Sequence, residues 1–327
     1  MDNWIWMAAG AGILVTARLL QWLYWRFFGR GSLHDYIRQE EAPEGEYRVL
    51  RKIKTPTQRI AHVEVNGETW IYSNGDVMFT TSEDENQYAE ALVHIPMAAA
   101  ASRERVLIIG GGGGITTREA LRYADVGHIT TVDIDEAMMN FGKQVDSIIA
   151  FNDNALNHPK VTTVIADGRE FIERSPDKWN VILIDIPEPN GQRPNLSRLF
   201  SDSYYALLRE RLAPGGAISV ACSASSYMPE YYWSIQATLE QAGFHVIPYH
   251  YDYIVESGED WGFCLATAAP LDPKRIKVPV QTRYLTERRL ADMFHIPHYF
   301  ANHEQERTVQ TDNNRVLLDI VMRTYGV

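Results

Sequence analysis

The chain has 327 residues, 45% of them hydrophobic and 22% charged, which is the composition of a packed protein of about two domains and excludes general disorder. Its 42 acidic against 31 basic residues give a net charge of −11, which argues against nucleic acid as a partner; such a balance serves solubility and can attract small cations. The two cysteines, Cys222 and Cys264, have no metal-ligand spacing and make no disulfide framework, so a reducing, intracellular compartment is the simpler reading.

Residues 1–30 differ from the rest. The run WIWMAAGAGILVTA (residues 4–17) carries no charge, Arg18 and Gln21 interrupt it, and LLQWLYWRFF closes with Arg26 and Arg30 nearby. Trp4, Trp6, Trp22 and Trp25 sit at the two ends, as aromatic residues do at lipid boundaries, and residues 4–28 would rise about 37 Å as a helix, enough to span a bilayer. Arg18 must then snorkel, and an interfacial anchor or a buried helix are the alternatives. With Arg18, Arg26 and Arg30 on the C-terminal side, the positive-inside rule predicts a single-pass protein of the cell inner membrane with its catalytic part in the cytoplasm.

Residues 31–55 are polar and read as a linker. Residues 56–100 then read as a small domain: β-like runs 58–65, 68–72 and 76–80 around Asn66-Gly67 and Asn74-Gly75 predict an antiparallel β-meander, followed by a helix over 83–100. Over residues 101–270 strands alternate with helices: RVLIIG (105–110), HITTVD (128–133), VTTVIAD (161–167), NVILID (180–185) and AISVA (217–221). This predicts an α/β fold with a doubly wound, mostly parallel Rossmann-like sheet. Residues 271–327 form a C-terminal extension that packs on the sheet domain or on a second subunit.

The carboxyl ends of the strands should carry the chemistry. Five consecutive glycines, 110–114, follow the first strand and precede a helix, so backbone N–H groups can approach a ligand closely; Gly110, Gly112 and Gly113 are the candidate contacts. Asp133 ends the next strand 21 residues after Gly112, where an acid takes the ribose hydroxyls of a nucleoside. Asp167 and Gly168 end the third strand; Asp167 either accepts from an adenine amino group or caps the following helix. Asp185 and Glu188 lie three residues apart in DIPEPN, a proline-stiffened loop suited to binding a cation or taking a proton from one. Two other features are weaker. His295 and His298 lack further metal ligands, so no metal is expected, and Tyr249, Tyr251 and Tyr253 read more readily as one face of a strand than as a cation-holding wall.

In this order the residues resemble the spermidine synthase family of polyamine aminopropyltransferases, over about residues 57–268: the meander, SEDENQYAEALVHIPM, the glycine loop, VDID, ADG, DIPEP, LAPGG and DWGF. The tail segments RYLTERRLADMFHIPHYF and TDNNRVLLDIVMRTYGV look like those of its long, membrane-spanning bacterial branch. The resemblance implies transfer of an aminopropyl group from decarboxylated S-adenosylmethionine to a diamine such as putrescine, with Asp185 as proton acceptor and Glu188 holding the amine or the aminopropyl ammonium. It further implies that Asp133 binds ribose, that Asp167 binds the adenine amino group, that Gln58 and Tyr88 line the pocket, that Trp261 and Phe263 pack at its edge, and that the protein is a homodimer.

Departures accompany the matches. The family loop reads GGGDGG and its Asp grips the donor's ammonium, whereas Gly113 and Ile115 stand here; Ala89 replaces a His or Gln, Gln192 a proline, and Glu188 an aspartate. Plant putrescine N-methyltransferases resemble the same fold without that Asp and use intact S-adenosylmethionine. Methyl transfer to a (poly)amine therefore stands as an alternative, and a catalytically reduced membrane-tethered binding protein as a third.

Overall fold

The computed structural model describes residues 35–254 and 259–326. The membrane helix and the single-pass inner-membrane placement expected from the sequence are corrected: among the described residues no helix is long and apolar enough to cross a membrane. The segment 4–28, on which that expectation rested, lies outside the described residues.

The first layer is a four-stranded antiparallel sheet in the order β1-β2-β3-β4, made of β1 (Tyr47–Lys54), β2 (Arg59–Val65), β3 (Glu68–Ser73) and β4 (Asp76–Thr80). Both Asn-Gly pairs turn as expected, with Asn66, Gly67, Asn74 and Gly75 all at positive φ, the backbone that tight hairpins require. The expected linker is shorter than residues 31–55, because β1 pairs along its length with β2. Its sequence YRVLRKIK spreads positive charge along an edge strand, which protects the edge and hides the strand from a hydrophobicity reading.

Helix α1 (Glu83–Ala99) then leads into the main sheet. That sheet has seven strands in the order β10-β11-β9-β8-β5-β6-β7: β5 (Arg105–Gly110), β6 (His128–Asp133), β7 (Val161–Ile165), β8 (Trp179–Asp185), β9 (Leu212–Ala224), β10 (His245–Ile254) and β11 (Glu259–Thr267). Strands β5 to β9 pair in parallel, while β10 and β11 run antiparallel at one edge. The four central residues of β5, Val106 to Ile109, and Val181 to Ile184 of β8 are fully buried, as strands covered on both faces must be. Helix α2 (Ile115–Leu121) follows β5, α3 (Glu136–Gln144) follows β6 and α4 (Asp146–Phe151) follows α3. Helix α5 (Gly168–Arg174) precedes β8, α6 (Asp202–Arg211) precedes β9 and α7 (Pro229–Gln241) precedes β10.

Strand order runs outward from β5 on one side and from β8 on the other, and in the register between them Gly110 lies opposite Asp185. Such a switch point opens a crevice at the carboxyl ends of the strands.

The C-terminal extension packs on the sheet domain. Its last helix, α10 (Val316–Tyr325), which follows α8 (Glu287–Met293) and α9 (His298–Ala301), buries Leu317, Leu318, Ile320 and Val321. Trp233 of α7 donates its indole N–H to the Phe300 carbonyl at 2.7 Å. Tyr249 and Tyr251 are core residues: Tyr249 stacks on Phe263 at 5.2 Å, and Arg289 lies 5.2 Å over the Tyr251 ring.

Glu90 of α1 ties down the start of the extension: it is 1% exposed, and its carboxylate accepts the backbone N–H groups of Arg283, Tyr284 and Leu285 at 2.6 to 2.9 Å. Replacing it strands three backbone donors, the one at Leu285 buried and that at Tyr284 half-buried. Glu90→Ala should lower unfolding stability by about 2–4 kcal/mol, read as a drop in the urea midpoint, and should expose the stretch after residue 282 to proteolysis.

Candidate active site

A cavity of about 1040 Å³ occupies the switch point. Its floor is the glycine loop together with the ends of β6 and β8, and its walls come from β4, α1 and the loop after β8. The glycine loop is fixed by contact. Gly110 has φ +87°, and a Cβ there would lie 1.9 Å from the Asp185 carbonyl oxygen, so no other residue fits. At Gly113 a Cβ would meet the Phe79 ring at 3.0 Å: an aromatic ring from β4 takes the space that a side chain would need.

Asp185 stands at the end of β8 with each carboxylate oxygen held. Tyr88 of α1 donates its hydroxyl to one oxygen at 3.0 Å, and Thr116, in the first turn of α2, donates to the other. Burial raises the Asp185 pKa, against these two bonds, which favour the ionised form. The Tyr88 ring meets Trp261 edge-on at 5.8 Å and Phe263 at 5.7 Å, giving an aromatic wall beside the carboxylate. Glu188 lines the same cavity. Its loop is pinned to β4 through Asp76, which takes Arg193 at 2.5 Å, Asn190 at 3.0 Å and Arg38 at 2.5 Å.

On the other side of the glycine loop, Asp133 accepts the Gly112 N–H at 3.1 Å and the Asp135 N–H at 2.9 Å. Burial pushes its pKa up to about 6, so a ligand that hydrogen-bonds the ionised form would be welcome there. Asp167 caps α5 by accepting the Arg169 and Glu170 N–H groups, and its second oxygen is taken by Arg198; an adenine amino group has to compete with that guanidinium. Gly168 lies against Ile109 and Gln58 accepts the Ser73 hydroxyl, both of them lining the cavity.

The structure thus brings Gly110, Gly112, Gly113, Asp133, Asp167, Gly168, Asp185, Glu188, Tyr88 and Gln58 to one cavity. Sequence reasoning missed Thr116, Phe79, Glu85, Arg193 and Arg198. Glu85 and Thr116 carried a signal: Glu85 lies one turn before Tyr88 on the same helix face, and Thr116 opens the helix after the glycines. Among the described residues, no group of three or more His, Cys, Asp or Glu side chains is placed to hold a metal ion.

The spermine/spermidine synthase domain matches residues 85–271, which span α1 through β11. The chain belongs to the spermine/spermidine synthase family. It is 31% identical over 287 residues to polyamine aminopropyltransferase 2 of Ralstonia nicotianae, covering 87% of this chain and 52% of the relative. It is 38% identical over 233 residues to polyamine aminopropyltransferase 2 of Bacillus cereus, covering 71% and 62%. The chain therefore spans about half the length of the first of these curated relatives. Spermidine synthase from Thermotoga maritima superposes with a TM-score of 0.68 at 22% identity, over 79% of this chain and 88% of that one. A spermidine synthase in complex with the transition-state analogue AdoDATO gives 0.69 at 23% identity over the same shares.

In this member of the family, the Gly110 contact is the most demanding one in the glycine loop. Gly110→Ala should lower stability by about 2–4 kcal/mol, measured as a drop in the midpoint of denaturant unfolding.

Proposed function

We propose that the chain transfers an aminopropyl group from decarboxylated S-adenosylmethionine to a small amine such as putrescine, leaving methylthioadenosine. The observation that carries this reading is Asp185: a half-buried carboxylate of raised pKa at the end of a buried strand, oriented by Tyr88 and Thr116, next to a glycine loop and an acid fit for ribose. The chemistry asks for little else. A sulfonium carbon is already activated, whereas an aliphatic amine titrates near pH 10 and reaches the site protonated, so alignment and proton removal remain for the protein.

In this reading the amine stands between Glu188, which holds its positive end, and Asp185, which accepts the proton. The freed nitrogen lone pair forms a bond to the aminopropyl carbon, the carbon–sulfur bond breaks, and its electron pair stays on sulfur as a neutral thioether. Asp133 holds the ribose hydroxyls, the glycine loop at Gly110, Gly112 and Gly113 lies against the nucleoside, and Asp167 with Gly168 lines the adenine end. Tyr88 and Gln58 border the reacting groups.

A second reading, methyl transfer from intact S-adenosylmethionine, is favoured by one feature. The wall at Gly113 is the Phe79 ring and bears no carboxylate to repel the carboxylate of that donor.

The test is to incubate the full chain with putrescine and either donor and to identify the nucleoside product by mass spectrometry. Methylthioadenosine with a lengthened polyamine is the expected result; S-adenosylhomocysteine with a methylated amine would transfer the proposal to the second reading, and neither product would overturn both. Asp185→Asn should cut kcat by roughly 10²- to 10⁴-fold. Activity should fall as pH drops through the raised Asp185 pKa. Tyr88→Phe removes a hydrogen bond to the ionised carboxylate, so the acid limb of its kcat profile should move to higher pH than that of the parent chain.

A further inference from the structure

Beyond the reacting carboxylate, the cavity contains an acid with no assignment. We propose that Glu85 anchors the ammonium at the free end of the donor's aminopropyl group, a role that rests on the aminopropyl reading above.

Decarboxylated S-adenosylmethionine ends in a primary ammonium, and a cation taken into a protein cavity needs an anionic partner. Position 113 of the glycine loop bears no side chain, and the Phe79 ring fills the space beside it. Other acids line the cavity: Glu40 and Glu41 pair with Arg38, Asp84 accepts from Gln87, and Glu44 is exposed to solvent. Asp133 accepts two backbone N–H groups, Asp167 caps a helix and pairs with Arg198, and Asp76 lies between Arg38 and Arg193. Asp185 is held by Tyr88 and Thr116, and Glu188 sits on the loop proposed for the acceptor.

Glu85 stands differently. It lies three residues before Tyr88 on α1, and residues at that spacing share a helix face; both line the cavity. Its carboxylate accepts the Thr80 N–H at 2.8 Å. Thr80 directly follows Phe79, so this bond ties the acid to the strand that carries the ring over Gly113. The charged groups around it are Asp84, Asp185 and Arg118. Arg118 is already spent on Asn86 at 2.7 Å, Glu119 at 2.9 Å and the Phe151 carbonyl. Burial, then the neighbouring Asp185 and Asp84, push the Glu85 pKa up to about 8 against the Thr80 hydrogen bond and Arg118. An arriving ammonium reverses that balance, so the donor binds with release of a proton at pH 7. Intact S-adenosylmethionine would bring its carboxylate toward the same acids, which disfavours it.

Titration calorimetry of the full chain at pH 7, in two buffers of different ionisation enthalpy, reads the proton directly. Decarboxylated S-adenosylmethionine should release up to about one proton per site, and methylthioadenosine, which lacks the aminopropyl group, should release none. Glu85→Gln keeps an acceptor for Thr80. It should bind methylthioadenosine unchanged, bind the decarboxylated donor weaker by roughly ten- to a hundredfold, and lose the proton release. In turnover it should raise the donor KM more than it lowers kcat. Equal weakening of both ligands would reveal a merely structural Glu85, and no weakening of either would overturn the anchor. Proton release lost in Glu85→Gln without any aminopropylated product would leave the anchor standing and overturn the proposed function. Product formation with an unchanged donor KM in Glu85→Gln would overturn the anchor alone, and a chain that binds neither nucleoside would overturn both.

Discussion

The structure turns on one contact, the backbone of Gly110 against the carbonyl of Asp185. Two fully buried apolar strands run side by side and end together, one in a residue without a side chain and the other in a carboxylate. The sheet can hide its hydrophobic interior only by delivering that acid to a place where water is scarce, and an acid in such a place is a stronger base than one in solvent. Tyr88 and Thr116 keep it aimed. Thr116 comes from the helix that the glycine loop starts, and Tyr88 from the helix that enters the sheet, so both supports are by-products of the same parallel packing.

Around that contact the protein manages charge by pairing what it does not use. Arg118 is consumed by Asn86, Glu119 and a carbonyl, Arg198 by Asp167, and Arg193 with Arg38 by Asp76. What remains facing the cavity is predominantly acidic, in keeping with the net charge of the chain and with a cationic ligand.

Much of this was legible in the sequence. Asn66-Gly67 and Asn74-Gly75 announced the hairpins, the apolar runs announced β5 and β8, and the spacing from Gly112 to Asp133 announced two strand ends that meet, as the Gly112 N–H meets the Asp133 carboxylate. What was not legible has physical reasons. Strand β1 was hidden by its own charges, because an edge strand needs no apolar face. The pairing of Asp167 with Arg198 joins residues 31 apart in sequence, and the Phe79 ring over Gly113 joins two sheets; long-range contacts of this kind leave no periodicity. Glu85 looked like an ordinary first-turn acid, which is where acids commonly sit on helices, so its one signal, the spacing to Tyr88, did not stand out. The anchor expected in the first thirty residues rested on an aromatic and apolar run that suits a bilayer and other settings alike; that run lies outside the described residues, among which no helix is fit to cross a membrane.

The clasp at Asp76 bears on how the chain can be divided. The matched domain begins at Glu85, whereas the acid that pins the DIPEPN loop stands on β4, upstream of it. Phe79 of the same strand covers Gly113. The small sheet is therefore part of the cavity rather than an appendage to it: a cut at the domain boundary would part the loop from its brace and the glycines from their cover.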